Sequence, residues 1–132
     1  MTETSKANIL LVDDDKFLLD MYSMKFVREG YTVHSCLSAD DALKVLREGF
    51  APQVVLFDIT MPGQDGFAFL QALQSEHLAD GAIKIALTNQ NTDAEKQKAE
   101  ELGASHYLVK ATLIPSEVVN TIASVLAQKA KA

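Results

Sequence analysis

Five short apolar runs alternate with segments of helical apolar spacing along the chain, and this alternation limits the possible folds more than any other feature. The runs are Ile9–Val12, Tyr31–Ser35, Gln53–Phe57, Ile83–Leu87 and His106–Val109. The first intervening segment, Asp15–Glu29, carries Phe17, Leu18, Met21, Met24, Phe26 and Val27 at helical spacing, and Gly30 ends it as a C-cap does. Ser38-Ala39-Asp40-Asp41 reads as a capping box with Asp in place of the usual Glu; Ala42, Leu43, Val45 and Leu46 supply its apolar face, and Gly49 stops the helix. Met61–Gly66 is a loop by its proline and glycines, and Phe67, Phe69, Leu70 and Leu73 begin another helix. Thr92-Asp93-Ala94-Glu95 is a second capping box, opening a charged helix that reaches Leu102 and stops at Gly103. Pro115 suits a first helical position, with Val118, Val119, Ile122, Val125 and Leu126 lining a last helix to about Gln128. Near-continuously hydrophobic strands separated by helices predict an α/β fold, a five-stranded parallel sheet covered on both faces. Right-handed crossovers make it doubly wound.

Size and charge narrow the function. A chain of 132 residues is most simply one domain, here with a core of about residues 7–128, and needs no disulfide or structural metal to bury its core. The formal net charge of −6 argues against direct nucleic-acid binding, because phosphate backbones attract Lys/Arg surfaces. No apolar run approaches the roughly 20 residues of a membrane span, and the polar N-terminus lacks a signal-peptide core. A cytoplasmic protein is expected. The single cysteine, Cys36, reads as a small core or strand-end residue.

Carboxylates stand where two of the strands run out. Asp13, Asp14 and Asp15 follow the first run, and Asp58 follows the third. The fourth run ends in Thr88-Asn89 and the fifth in Lys110. In a sheet of order 2-1-3-4-5 the first, third, fourth and fifth strands are neighbours, and ligands bind beyond their carboxyl ends. Clustered carboxylates need a cation, and an all-oxygen donor set favours a hard ion such as Mg²⁺. Asp58 can act as a nucleophile that forms an aspartyl-phosphate, with the metal and Lys110 neutralising charge and the Thr88 hydroxyl donating to a phosphoryl oxygen. Each residue also has a plain structural reading. Asp15, and Asp14 in part, can cap the first helix; Asp58 can begin a turn; Thr88 can cap a loop; Lys110 can be a solvated lysine. Four such coincidences at four strand ends are much less economical than one shared pocket.

Together these residues resemble the receiver domain of two-component response regulators, of the chemotaxis-regulator type, over about Ala7 to Gln128. The resemblance rests on Leu11-Val12-Asp13-Asp14, on Val55 through Gly66 with its Asp-x-x-Met-Pro-x-x-Asp-Gly pattern, on Leu87-Thr88, and on Gly103 through Lys110. It implies a flavodoxin-like three-layer sandwich. It also implies that Asp58 is the phosphoacceptor and that Asp13, Asp14, Asp58 and the backbone carbonyl of Thr60 hold Mg²⁺. Thr88 is then the switch hydroxyl, Lys110 the phosphate-binding lysine, and Tyr107 the aromatic that turns inward with Thr88. A histidine kinase or histidine phosphotransfer protein supplies the phosphoryl group. A downstream protein partner, its identity unspecified, reads the face formed by the fourth helix, fifth strand and fifth helix. His34, His77 and His106 carry no kinase context.

Two positions depart from the family pattern. Ala111 follows Lys110 where proline is usual, commonly after a cis bond. Before alanine such a bond costs about 2.5–4 kcal/mol, so either a trans bond reroutes the loop or strain is stored there. Asn89 stands where a small residue is usual and can narrow access to Asp58 or bond a phosphoryl group; Thr60 and Gln90 occupy positions that tune the lifetime of the phosphorylated state. The alternative in the enzyme class is a Mg²⁺-dependent phosphohydrolase using Asp58. It lacks a cap and has its nucleophile after the third strand rather than the first. A nucleotide or flavin module needs a glycine-rich loop where Asp13-Asp14-Asp15 stands. A phosphorylation-independent scaffold leaves the complete Asp, Thr and Lys set unexplained.

Overall fold

The computed structural model describes residues 6–61, 63–89, 92–110 and 114–131, with backbone alone for 129–131. Pro62, Gln90 and Ala111, on which three of the sequence readings fall, lie outside the described residues. The elements follow one another as β1 (Asn8–Val12), α1 (Lys16–Arg28), β2 (Thr32–Cys36), α2 (Ala39–Arg47), β3 (Val54–Asp58), α3 (Gly66–Glu76), β4 (Ile83–Thr88), α4 (Asp93–Glu101), β5 (His106–Val109) and α5 (Pro115–Lys131). All neighbouring strands are parallel, in the order β2-β1-β3-β4-β5.

Strand alternation splits the apolar residues between two faces. Ile9, Leu11, Val54, Leu56, Ile85 and Leu87 pack with Leu19, Tyr22 and Phe26 of α1 and Val118 and Ile122 of α5. Leu10, Val12, Val55, Phe57 and Ala86 pack with Leu43 and Leu46 of α2 and Phe69, Leu70 and Leu73 of α3. The result is the three-layer sandwich that the alternation predicts.

Local chemistry starts the helices where expected. Asp15 is the N-cap of α1, accepting from Leu18 N–H at 3.2 Å, and Ser38 does the same for α2 with Asp41 N–H at 3.1 Å. Gly30, Gly49 and Gly103 all have positive φ just past a helix. Cys36 is buried at the end of β2, and burial pushes its thiol up to about 11, so it is an inert core residue.

The apolar face of α1 differs from its sequence reading. The stripe against the sheet is Leu19, Tyr22 and Phe26, whereas Phe17, Met24 and Val27 are exposed. Apolar residues surround so much of this helix that spacing alone does not select the stripe. α4 lies at the other extreme: Ala99 is its one buried residue, because Asp93–Glu101 is almost wholly polar.

Candidate functional site

The carboxyl edge of the sheet is built by backbone register. Asp58 is the last residue of β3 and pairs with Leu87; Thr88 is the last of β4 and pairs with Val109. Asp13 lies one residue beyond β1, but its N–H still donates to the Cys36 carbonyl at 3.1 Å. Lys110 directly follows β5. Asp13, Asp58 and Thr88 thus leave from points held by the ladder, and Lys110 from the residue next to one.

The side chains converge. Lys110 Nζ donates to Asp13 Oδ2 at 2.7 Å and to Asp58 Oδ2 at 3.2 Å, and all three side chains are buried. Asp13 Oδ1 accepts from Asp15 N–H at 2.9 Å, and Asp58 Oδ1 accepts from Thr60 N–H at 3.3 Å. Asp13, Asp14 and Asp58 each offer a carboxylate oxygen, and these oxygens lie within 4.8 Å of one another. Asp14 is exposed while the other two are buried, so the cluster opens to solvent on one side. The plain reading of Lys110 as a solvated lysine does not survive this geometry, while Asp58 does open a turn through its bond from Thr60 N–H as well as facing Lys110. The helix-capping reading of Asp15 survives it.

Electrostatics follow from burial. Asp58 is pushed up to about 6, first by desolvation and then by the neighbouring Asp13, against the opposing pull of Lys110. Burial acts to lower the Lys110 ammonium, but its bonds to Asp13 and Asp58 outweigh that and raise it. Three carboxylates against one ammonium leave an excess of two negative charges in a partly desolvated space. That balance, with oxygen donors only and an open side for retained water, suits a divalent hard cation such as Mg²⁺.

The loop after β3 is held onto the site by Gly66. Its N–H donates to the Ile59 carbonyl at 2.8 Å, and a Cβ added there would lie 2.7 Å from both the Asp58 carbonyl oxygen and Ile59 Cα. Gly66 is the first residue of α3 rather than the last of the loop, with Asp65 as the N-cap. Gly66→Ala therefore has to displace backbone that carries Asp58. We expect a loss of about 1–3 kcal/mol in urea unfolding, together with slower phosphoryl uptake.

Thr88 and Tyr107 are brought together on a neighbouring spot. Thr88 is 1% exposed and its hydroxyl donates to Glu95 Oε1 at 3.2 Å. Half-buried Tyr107 donates to the same oxygen at 2.7 Å. Burial first, and then Glu95, raise the Tyr107 phenol well above its ordinary range. The sequence presents Glu95 only as the second half of a capping box. The first half forms, since Thr92 Oγ1 accepts from Glu95 N–H at 3.3 Å, but the carboxylate reaches β4 and β5. Nothing in its spacing from Thr88 or Tyr107 could have announced that contact. Asn89 is exposed beyond the end of β4.

Comparison with known proteins gives the same answer. The family model for the response regulator receiver domain matches residues 9–123. The transcriptional regulatory protein AfsQ1 of Streptomyces coelicolor is 32% identical over 103 residues, covering 78% of this chain and 44% of AfsQ1, so the chain spans less than half of that relative. A CheY-like receiver domain protein from Methanospirillum hungatei superposes with a TM-score of 0.85 at 27% identity, covering 97% of this chain and 98% of that one. The chemotaxis protein CheY4 of Vibrio cholerae superposes with a TM-score of 0.82 at 28% identity, covering 90% of this chain and 98% of that one. The phosphohydrolase alternative is not favoured by these matches, and among the described residues no helix is long and apolar enough to cross a membrane. With this edge geometry, a matched model over most of its length and chemotaxis-regulator-like neighbours, the chain belongs to the response regulator receiver domain family, whose members are phosphorylation-controlled switches.

Proposed function

We propose that Asp58 is the phosphoacceptor of this chain, and that the charge it acquires resets Thr88, Tyr107 and the α4–β5–α5 face for a protein partner. The observation that carries this reading is the Lys110 ammonium bridging Asp13 and Asp58 within a buried carboxylate pocket.

At neutral pH, above its value of about 6, Asp58 is ionised and nucleophilic. A carboxylate oxygen attacks the phosphorus of a phosphohistidine donor. The P–N bond breaks, and the imidazole leaves with the electron pair and takes a proton from solvent. Lys110 moves its second bond from the Asp58 carboxylate to the new phosphoryl oxygens, keeping its bond to Asp13. Asp13, Asp14, Asp58 and the Thr60 carbonyl are the groups that would hold Mg²⁺, which when bound supplies charge neutralisation at the phosphoryl group. The added charge, roughly −1.5 to −2, draws the Thr88 hydroxyl away from Glu95. Thr88 is tied to Tyr107 through Glu95, so its movement is felt on α4, the most weakly packed of the helices that touch the site.

The donor is a histidine kinase or histidine phosphotransfer protein, and output is by contact with another protein. The net charge of −6 disfavours direct nucleic-acid binding. The protein acts in the cytoplasm and turns over no substrate apart from its own phosphoryl group.

The test is intact-mass measurement after incubation with acetyl phosphate and Mg²⁺. One phosphoryl group should be gained, and it should be lost in Asp58→Asn and when chelator removes the metal. A wild-type protein that gains no phosphoryl group under conditions that preserve acyl phosphates overturns the assignment.

A further inference from the structure

The second capping box of the sequence has a task beyond starting a helix. Glu95 sits in the first turn of α4, and its Oε1 accepts from both Thr88, at 3.2 Å, and Tyr107, at 2.7 Å. Three side chains from β4, α4 and β5 thus form one network around a single carboxylate oxygen.

Strand alternation explains why the network lies apart from the acidic pocket. Ala86 and Tyr107 pack on the face covered by α2 and α3, and Thr88 shares that face. Asp58 follows Val54 and Leu56, which pack on the opposite face with α1 and α5. In the present arrangement the Thr88 hydroxyl is therefore directed to α4.

A threonine hydroxyl has one hydrogen to give. While Thr88 donates it to Glu95, it cannot donate it to a group on Asp58. The two acceptors compete for the same donor, and one of them is already present and ionic. We propose that Glu95 is a latch: a positioning residue that holds Thr88 and Tyr107 in the resting arrangement and sets how much a phosphoryl group must supply to release them. This rests on the reading of Asp58 and Thr88 given above.

Two features give the latch leverage. α4 has little else to hold it, since Ala99 is its one buried residue and its other described contacts include Lys98 Nζ 4.5 Å over the Phe67 ring and the Leu102 carbonyl accepting from Gln74 Nε2 at 2.7 Å. Releasing Glu95 therefore frees the N-terminal turn of the helix that presents the switched face. Tyr107 is bound to the same oxygen as Thr88, so the two cannot respond independently.

The measurement is the affinity for beryllofluoride, a phosphoryl mimic, in Mg²⁺, on the full chain. Glu95→Ala removes the competing acceptor and should tighten binding roughly tenfold, the scale of one hydrogen bond to a charged group. Glu95→Gln keeps an acceptor oxygen but not its charge, and as an isostere that preserves the fold it should give an intermediate gain, about threefold. In a Thr88→Val background the effect of Glu95→Ala should fall below about twofold, because the competition no longer exists. With 3-fluorotyrosine incorporated and the Tyr107 signal assigned through Tyr107→Phe, the ¹⁹F resonance of unliganded Glu95→Ala should move toward its beryllofluoride-bound position. Unchanged affinity in both Glu95 variants, while wild type binds normally, overturns the latch and leaves the phosphoacceptor reading intact. A gain of equal size in the Thr88→Val background overturns it as well, by showing a general charge effect. Wild type that neither binds beryllofluoride nor takes a phosphoryl group removes the underlying reading and the latch with it.

Discussion

Replacing Lys110 with methionine lowers the unfolding free energy by about 3–5 kcal/mol near pH 8, the scale of removing one partner from a buried ion pair. Methionine keeps most of the apolar stem, so the loss comes from charge rather than volume. The lysine side chain is as buried as the two carboxylates it bridges, and without it Asp13 and Asp58 face each other with no cation between them. The sign of the pH dependence follows. The Lys110 ammonium is raised above its ordinary 10.5, so its contribution is fully present below that value and fades only as pH rises through the still higher folded value. Across the neutral range the wild type keeps the bridge. In the variant, the folded protein relieves the carboxylate repulsion by binding protons that the unfolded chain releases near pH 4. The penalty therefore shrinks as the pH falls toward that value. Urea unfolding of both proteins from about pH 8 down to about pH 4 reads this directly. Millimolar Mg²⁺ should restore more stability to the variant than it adds to wild type, because it replaces a missing positive charge. A loss of the same size at every pH, indifferent to Mg²⁺, would mean that Lys110 contributes packing alone.

What the sequence made legible, and what it hid, divides along a physical line. Asp13, Asp58 and Lys110 were readable because a parallel sheet places the ends of its strands side by side, so residues 97 positions apart in the chain meet without any knowledge of side-chain packing, whereas Thr88 stands at the expected strand end with its hydroxyl turned to Glu95. The helix caps at Asp15 and Ser38 were readable because capping depends on neighbours in sequence. Glu95 was not, since its partners lie on two strands and its local pattern pointed back to its own helix. Gly66 could be placed at a turn, but the reason it must be glycine, the Asp58 carbonyl against its Cα, is a tertiary contact. The sheet-facing stripe of α1 was ambiguous for a different reason. Phe17, Met24 and Val27 are apolar yet exposed, so apolar spacing over-counts the buried face.

Asp58→Asn should make the protein more stable near pH 8, by about 3 kcal/mol, while it abolishes phosphoryl uptake. The carboxyl of Asp58 sits at about 6 in the folded protein against 3.8 ordinarily, and each unit corresponds to about 1.4 kcal/mol. Desolvation is the largest cause, with repulsion from Asp13 added to it, and the attraction of Lys110 does not cancel the two. Because the folded value is raised, folding takes up a proton between about pH 4 and pH 6. The cost of holding Asp58 charged is absent below the unfolded value and fully present above the folded one. An amide of the same shape bears no such cost, and Lys110 keeps Asp13 at 2.7 Å as its partner. The gain should therefore fade as the pH is lowered through 6 and vanish near 4. A carboxylate poorly solvated by water and incompletely matched by its lysine is what the proposed nucleophile and cation ligand would require. The same substitution should also blunt the effect of Lys110→Met, because one of the two stranded charges is then gone; the pair of changes should be less destabilising than the sum of the singles predicts. An Asp58→Asn protein no more stable than wild type near pH 8, or one whose advantage persists undiminished near pH 4, would mean that Asp58 titrates in the folded protein as it does in the unfolded chain.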